Sequence, residues 1–553
     1  MKRQLLTSIL LALAVLSCGK KEEQTTPLMV DFTISSNPCF AKEEVTFTAN
    51  VSGGQPPYTC EWKVGDAATL SGATASWTSE TNGTYVVVLK ATDAKGNTGE
   101  RSKNLVVNPA QVSAQGEVKV KWVGELEGYT AMTTPAVADD GSVYTATRNS
   151  NKLYKFSKDG AKVWEKDILV SPKDGSLILG TPAIDTDGTV YIGGGTQNGD
   201  GVLVAFKPDG SIKWRFKDFF ATEGSTLAPA IQGVTAGIGD NNVYIGNTGT
   251  SGSILSVSKA DGKRINYLKN SAGGGPAGGA RAGILISKGG YLHWSGGLYG
   301  IFGAKMSALD TAGDGVAWDW SSFYASGAIT NAKTNANATL AAMEVGGKPA
   351  LVGMMTDNRE KTKVYALDAA TGAELAVVDV DECNTQDQGG VAVTGDGLIV
   401  AALKYTLGQD DGGIALVDPA QSRLVSHYRV MENVSGAPAV DAAGNIHFAT
   451  ESGNYYVVKP SGSSFETIVK KDIAELVRTD DRYAGTFKDL YKAKIWSGIV
   501  IGDDGTVYIQ FTENELRIQG GIAAITVDVC TGPSTSSPWP MMGQNRRHTN
   551  RQQ

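Results

Sequence analysis

The sequence has few of the residues on which metal, redox and nucleic-acid chemistry depend. Of 553 residues only 4 are His and 5 are Cys, and no Cys-x-x-Cys spacing occurs, which excludes thiol-redox, haem-attachment and zinc-ribbon sites. The formal net charge is −7, so a basic surface that neutralises phosphates is lacking and we expect no nucleic-acid partner. No stretch beyond the N-terminus is apolar for long enough to cross a bilayer.

Glycine is abundant, at 68 residues, and a cassette returns about every 50 residues. It reads TPAVADDGSVYTA at 134–146, TPAIDTDGTVYIG at 181–193, APAVDAAGNIHFA at 437–449 and GIVIGDDGTVYIQ at 498–510. Each copy is an apolar strand, a tight Gly-containing turn and a second apolar strand, which predicts a β-hairpin. Repetition at this interval is typical of a β-propeller.

The segments after the hairpins repeat as well, as in KLYKFSKDGAKVW (152–164) and VLVAFKPDGSIKW (202–214). Each unit is therefore predicted to hold four strands. The apolar residue after the first turn marks eight units: Val143, Val190, Val243, Leu292, Ala350, Ile399, Ile446 and Val507. Strand 118–126 has no partners before it, and the last unit runs out after 520–529. Pairing the two closes an eight-bladed ring, which removes exposed sheet edges.

The N-terminal residues resemble a targeting signal. Lys2 and Arg3 precede a short apolar stretch, and the following VLSCG (15–19) resembles a bacterial lipobox. The resemblance implies a signal peptide at 1–17, a lipid (palmitate-type acyl) attached to Cys18 and a tether at 18–28; an ordinary secretory signal is the alternative. KKEE (20–23) resembles the export tag of Bacteroidetes-type surface lipoproteins. That implies an outer-membrane, lipid-anchored protein at the cell surface, with a periplasm-facing orientation as the alternative.

Residues 29–108 alternate like strands, and period-2 spacing puts Cys60 and Trp62 on one face of 58–64. GGQPPYTCEWKVGD (53–66) and NGTYVVVLKATDAKGNTGE (82–100) resemble the polycystic-kidney-disease (PKD) domain family. The resemblance implies an immunoglobulin-like β-sandwich that acts as a spacer or interaction module and has no catalytic residues. Cys39 and Cys60 both lie in this segment and form a candidate disulfide, because the expected compartment is oxidising.

Four tryptophans share the outer-strand position of the repeat: Trp122, Trp164, Trp214 and Trp318. This pattern resembles the quinoprotein (PQQ-like) propeller repeat, in which such a Trp docks between neighbouring blades. The resemblance covers a propeller at 117–532, after a linker at 109–116. The tail at 533–553 contains WPMMGQNRRHTN, which resembles a segment at the ends of such propellers and is interpreted as a strap.

Enzymes of the quinoprotein family stack pyrroloquinoline quinone between a Trp and a disulfide of adjacent Cys, over a calcium ion. This sequence has no Cys-Cys pair, and its four His show no metal-ligand spacing. The repeated Asp-Gly motifs have the spacing of hairpin turns. We therefore expect no cofactor, no metal and no catalytic residues.

Departures from the repeat are the better guide to binding. The candidate ligand-binding aromatics are Trp294, Tyr299, Phe302, Trp320, Phe323, Tyr324 and Trp496; the alternative for Trp294 and Phe302 is that they fill their blade. The prediction is a monomeric, non-enzymatic binding or scaffold protein for a glycan or an envelope protein. The alternatives are an assembly factor similar to the propeller lipoprotein of the β-barrel insertion machinery, and a quinone-dependent or polysaccharide-acting enzyme.

Overall fold

The computed structural model describes residues 27–41, 43–79, 83–108, 116–130, 133–147, 150–169, 177–196, 201–217, 235–246, 254–269, 283–295, 301–313, 316–317, 339–357, 361–381, 389–404, 412–514 and 517–552. Cys18 lies outside these residues. Strands dominate, with two short helices among the described residues. The chain divides into two compact units, Met1–Val107 and Asn108–Gln553. The prediction of an all-β protein is confirmed.

The N-terminal unit is a sandwich of two sheets. Its strands are β1 (Met29–Ile34), β2 (Cys39–Phe40), β3 (Glu44–Ser52), β4 (Thr59–Val64), β5 (Ala68–Ser71), β6 (Thr74–Thr78), β7 (Gly83–Thr92) and β8 (Thr98–Asn108). One sheet has the order β1-β3-β6 and the other β2-β8-β7-β4-β5. The fully buried Trp62 lies between Phe32 and Phe47, with ring centroids 5.2 and 5.5 Å away, so the predicted core tryptophan organises the sandwich.

The predicted disulfide is wrong. Cys39 and Cys60 are separate, buried thiols. They lie in β2 and β4, and β8 and β7 stand between these two strands in the sheet. Three strand spacings amount to about 14 Å, whereas a disulfide requires Cα atoms within about 7 Å.

The C-terminal unit begins with β9 (Val118–Glu127), and eight sheets can be traced in its described residues. The first has β10 (Ala136–Val137), β11 (Val143–Ala146), β12 (Lys152–Phe156) and β13 (Lys162–Asp167). The second has β14 (Leu177–Leu179), β15 (Ala183–Ile184), β16 (Val190–Thr196), β17 (Val202–Phe206) and β18 (Ile212–Phe216). The third has β19 (Gly237–Ile238), β20 (Asn242–Gly246), β21 (Ile254–Ser258) and β22 (Arg264–Lys269), and the fourth β23 (Leu285–Ser287), β24 (Tyr291–Ser295) and β25 (Ile301–Lys305).

Helix α1 (Met306–Leu309) follows, and β26 (Val316–Ala317) joins the third sheet. The fifth sheet has β27 (Ala341–Val345), β28 (Lys348–Asp357), β29 (Lys361–Asp368) and β30 (Glu374–Asp381). The sixth has β31 (Val391–Val393), β32 (Ile399–Leu403), β33 (Gly413–Asp418) and β34 (Arg423–Arg429). The seventh has β35 (Ala439–Val440), β36 (Ile446–Ala449), β37 (Asn454–Ser461) and β38 (Ser464–Asp472). After helix α2 (Ile473–Arg478), the eighth has β39 (Val500–Ile501), β40 (Val507–Asn514) and β41 (Arg517–Val527).

Strand β9 completes the eighth sheet, whose order is β39-β40-β41-β9. Trp122 pairs with Ala524 and Val120 with Ile525 in an antiparallel register. The predicted closure between the two ends of the unit is thus confirmed. The insertion that follows the seventh sheet packs against this seam, because Arg482 donates from its guanidinium to the carbonyls of Lys121 and Val120 (3.1 and 2.7 Å).

Outer-strand tryptophans join neighbouring sheets. The indole Nε1 groups of Trp122, Trp164 and Trp214 donate to turn carbonyls of the next sheet, those of Lys158, Pro208 and Lys259, over 2.9, 3.2 and 3.0 Å. The turn glycine fits flat against the ring: a Cβ at Gly160, where φ is +89°, would lie 2.4 Å from Trp122 Cγ. The same hydrogen bond from a tryptophan to a turn therefore joins three pairs of neighbouring sheets. Trp318 lies outside the described residues.

Residues 533–552, the described part of the predicted strap, are called the tail below, and they run along the innermost strands. Backbone N–H groups of Val137, Ile184, Ile238, Ile286, Val393 and Val440 donate to tail carbonyls over 2.6–3.1 Å. These six residues belong to six of the eight sheets, the first to fourth, the sixth and the seventh. The tail thus crosses the ring and ties sheets on both sides of it.

Candidate functional site

The sheets of the propeller have two ends that differ in their connections. At the turn side, hairpin turns join the first strand to the second and the third to the fourth. At the loop side, the chain leads into each first strand and passes from the second strand to the third. Tail arginines pair with turn aspartates, as in Arg546 with Asp139 (2.9 Å), so the tail covers the turn side.

The lead-in segments on the loop side are bonded to one another. Ile499 N donates to the Ala437 carbonyl and Gly498 N to Thr134 Oγ1, both over 3.1 Å. Gly436 allows the close approach of two segments, because a Cβ there would lie 1.9 Å from the Ser497 carbonyl oxygen. The lead-in segments of the seventh, eighth and first sheets therefore form one continuous rim, called the loop-side rim.

Trp496 and Tyr129 lie on this rim. Both are half-buried, and their ring centroids are 4.9 Å apart with planes inclined at 47°. Lys494 pairs with Thr512 in an antiparallel bridge, and Ser497, next to Trp496, donates from Oγ to the Gln510 carbonyl over 3.3 Å. The side chain of Gln510 donates from Nε2 to the Ala146 carbonyl (3.2 Å), which leaves its buried Oε1 without a protein partner. Half-exposed aromatic rings held against each other are suited to a binding hot spot.

A sheltered ion pair lies on the loop side of the sixth and seventh sheets. Lys404 Nζ is 2.7 Å from Glu451 Oε1, and each side chain is only 17% exposed. Ser435 Oγ also donates to the Glu451 carboxylate. Next to it, Glu432 accepts from Asn454 Nδ2 (2.8 Å) and from Thr450. This half-buried charge fixes the shape of the rim, since moving either partner would leave an unpaired charge.

Four sheets have a tyrosine at one register position of their second strand, and two other sheets have a histidine at that position. Tyr144, Tyr191, Tyr244 and Tyr508 face the first strand of their sheets, and His293 and His447 take the same register position in theirs. His293 is fully buried, and desolvation lowers its pKa to about 3. The position of His447 could have been read from the repeat, because IHF (446–448) aligns in the cassette with VYT (143–145) and VYI (190–192).

His447 belongs to the one group among the described residues whose metal-ligating atoms lie close together, with Asp441 and Cys530. Its Nε2 is 3.1 Å from Asp441 Oδ2 and its Nδ1 is 2.6 Å from Tyr455 Oη. The Asp441 carboxylate also accepts from the backbone N–H groups of Ala443 and Asn445.

Hydrogen bonds already account for this buried group. Burial raises the pKa of the Cys530 thiol to about 12, so the sulfur keeps its proton. Hydrogen bonding to His447 and to the turn overcomes desolvation and lowers the pKa of Asp441. These hydrogen bonds make the cluster an anchor for the turn between β35 and β36, and the absence of a metal site stays a prediction.

The aromatics predicted to bind a ligand divide into three groups. Trp294 and Phe302 are 2% and 1% exposed and stack on each other across β24 and β25, with centroids 6.0 Å apart. The binding role predicted for this pair is therefore wrong, because both rings fill the core of the fourth sheet. Trp496 is accessible on the loop-side rim. Tyr299, Trp320, Phe323 and Tyr324 lie outside the described residues. Tyr129 was not predicted; the signal was its position directly after the closing strand.

The second unit is a β-propeller, and the first is an immunoglobulin-like sandwich. A PKD domain family model matches residues 27–108, and a family model described as outer membrane protein assembly factor BamB matches 88–323. The chain thus combines a PKD domain with a propeller of the PQQ-like repeat type. No curated protein matches the sequence significantly.

Solved propellers share the fold. The chain is 14% identical to a quinohemoprotein alcohol dehydrogenase from Pseudomonas putida HK5, covering 76% of this chain and 78% of that one, with a TM-score of 0.53. The quinohemoprotein alcohol dehydrogenase of Comamonas testosteroni is 13% identical, covering 75% of this chain and 78% of that one, with a TM-score of 0.54. BamB from Moraxella catarrhalis is 13% identical, covering 74% and 100%, with a TM-score of 0.47. Identities this low show the fold alone.

The residues present do not fit the quinone site of such dehydrogenases. That site needs two consecutive cysteines, and none of the five cysteines of this chain is adjacent to another. Among the described residues, Cys530 is the propeller's one cysteine, and it is buried beside Asp441 and His447 rather than open to a ligand. No helix of the described residues is long and apolar enough to span a bilayer.

Proposed function

We propose that the protein is a non-enzymatic binding or scaffold protein that docks a partner protein of the cell envelope on the loop-side rim of its propeller. The observation that carries the proposal is the asymmetry between the two sides. The chain's own tail occupies the turn side, whereas Trp496 and Tyr129 remain half-exposed on the loop side. Large aromatics that are partly desolvated and rigidly held are typical anchors of protein interfaces.

The remaining parts of the proposal follow from the sequence. Lipidation at Cys18 anchors the chain to the outer membrane, and the PKD domain acts as a spacer between that anchor and the propeller. Several acyl chains bind a membrane stably, at roughly 0.8 kcal/mol for each buried methylene. The protein acts as a monomer on the cell surface.

The test is affinity capture from an envelope extract with the folded chain and two variants. Trp496→Ala should weaken capture of the bound partner about 30-fold, the effect of losing a hot spot of roughly 2 kcal/mol. Trp164→Ala is the matched control, since Trp164 is also a half-buried tryptophan but lies on the outer strand β13 against a turn-side carbonyl. Equal capture by Trp496→Ala and wild type would contradict the rim as the site. Binding on a glycan array that Trp496→Ala abolishes would replace the protein partner with a glycan.

A second candidate function is a periplasm-facing assembly factor for outer-membrane proteins. It is favoured by the family model described as outer membrane protein assembly factor BamB, which matches 88–323. Protease added to intact cells separates the two orientations. Cleavage of the propeller supports the surface-exposed protein, and protection that ends when the outer membrane is permeabilised supports the assembly factor.

A further inference from the structure

The two ends of the tail are attached to the ring by different forces. At the tryptophan end (537–542), Trp539 and Met541 are fully buried in the hydrophobic cores. Their neighbours complete the attachment, because Val393 N donates to the Trp539 carbonyl (2.8 Å) and Val440 N to the Pro540 carbonyl (2.7 Å). Burial of apolar surface is the main stabilising force in proteins, so this end is firmly docked.

The arginine end (544–552) reads QNRRHTNRQ and has no apolar side chain. Carbonyls of Arg546, Arg547, Thr549 and Asn550 accept from the inner strands of the first four sheets. The side chains add ion pairs, of Arg546 with Asp139 and Asp503 and of Arg551 with Asp240. The three aspartate side chains are 64–73% exposed, whereas Arg546 is 13% and Arg551 38% exposed, so salt weakens these pairs in part.

The backbone of the arginine end is strained. Gln544, His548 and Asn550 have φ values of 76°, 54° and 51°, and they are three of the five non-glycine residues with positive φ in the described chain. Left-handed backbone is unfavourable for residues with a Cβ and persists only where surrounding contacts enforce it. Gly543 (φ 69°) lies directly between the two ends and can change its backbone angles at little cost.

We propose that the arginine end is a latch, which releases from the turn side by rotation about Gly543 while the tryptophan end stays docked. Release relieves the strain at Gln544 and His548, and it exposes the buried imidazole of His548 but no apolar side chain of the tail. It uncovers the inner-strand N–H groups of Val137, Ile184, Ile238 and Ile286, one in each of the first four sheets, and these donors can then bond to another extended segment that crosses the sheets as the tail does. The latch is independent of the partner proposed for the loop-side rim.

Amide hydrogen exchange on the full-length chain tests the latch. Six inner-strand amides are each covered by a tail carbonyl, so their exchange reports release of the segment above them. The amides of Val137, Ile184, Ile238 and Ile286 should exchange at least ten-fold faster than those of Val393 and Val440. Sodium chloride at about 0.5 M should widen the difference further, because it screens the arginine pairs. The Ala523 amide, in the closing sheet, reports opening of the whole ring.

Variants sharpen the result. Replacing both Arg546→Gln and Arg551→Gln should accelerate exchange of the first four amides several-fold and leave Val393 and Val440 unchanged. Arg423→Gln is the matched control, because it removes an arginine–aspartate pair with Asp418 (3.5 Å) that lies outside both the tail and the closing seam. Equal exchange rates for all six amides, or faster exchange at Val393 and Val440, would overturn the latch.

Discussion

Trp122 donates its indole N–H to the backbone carbonyl of Lys158 over 2.9 Å, across the seam where the eighth sheet meets the first. The same tryptophan, on β9, pairs with Ala524 on the neighbouring strand β41 and is 2% exposed. One side chain therefore belongs at once to the closing sheet and to the next sheet around the ring.

Replacing Trp122 with Ala should lower the free energy of unfolding by about 3–5 kcal/mol, since it removes a buried ring and leaves the Lys158 carbonyl unpaired. Urea denaturation measures the change. Trp164→Ala is the matched control at the equivalent position; Trp164 is only half-buried, so its loss should cost under about 2 kcal/mol. An equal loss in both variants would show that closure adds nothing to the role of Trp122.

Acid should destabilise the propeller through its buried histidines. Desolvation lowers the pKa of His548 to about 4 and that of His293 to about 3, while the Pro182 carbonyl, which faces His548 Nδ1, partly offsets the shift of His548. The unfolded chain binds these protons near pH 6.5 and the folded chain does not. The free energy of unfolding therefore has its full value above that pH. It falls as the pH drops from 6.5 towards 4, by up to about 1.4 kcal/mol per unit for each histidine.

The variant His548→Asn isolates one of these titrations. Asn tolerates the left-handed backbone at this position and has no proton to gain in this range. Denaturation at pH 8 gives the structural cost of the change, and the slope between pH 6.5 and 4 gives the titration. The slope should be about half that of wild type; an unchanged slope would assign the acid sensitivity to other groups.

The thiols of the PKD domain should be free. The chain, unfolded without reductant and treated with iodoacetamide, should gain one carbamidomethyl group at Cys39 and another at Cys60 by peptide mass spectrometry. Mixing with a reductant first should not increase the labelling. A 39–60 cross-linked peptide would show that the sheet order β2-β8-β7-β4 is incorrect.

The cluster of Asp441, His447 and Cys530 should stabilise the seventh sheet without metal. Asp441→Ala should cost at least about 3 kcal/mol, because it leaves several buried donors without an acceptor. EDTA should leave the melting temperature of the wild-type protein unchanged. A fall in the melting temperature on chelation, reversed by zinc, would establish a metal site instead.

The cassette predicted most of the propeller because both its hairpin and its Trp-bearing outer strand follow local rules. The closure of the ring was predictable as well, since Val118–Glu127 has strand character but no partner nearby in the sequence. The prediction failed at Trp294 and Phe302 because residue type does not distinguish an exposed aromatic side chain from one that fills a sheet. Trp294 and Trp496 have the same chemistry, and only the three-dimensional packing separates them.

Ion pairs between repeats were beyond sequence reasoning for a different reason. Lys404 and Glu451 come from adjacent sheets, and nothing in either cassette marks them as partners. The Cys39–Cys60 prediction failed because compartment and residue count do not specify strand order. Tyr129 became a candidate only when the lead-in segments were seen to meet Trp496.

The pairing of β9 with β41 also governs how the molecule can be made. Because β9 precedes the other strands of this unit, it emerges first during synthesis and must wait, with a bare edge, until nearly the whole propeller has followed. Contacts between such distant parts of a chain slow folding, and a waiting strand edge is prone to pair with the wrong neighbour. Strand β9 is therefore the part of the propeller most open to mispairing until β41 has been made.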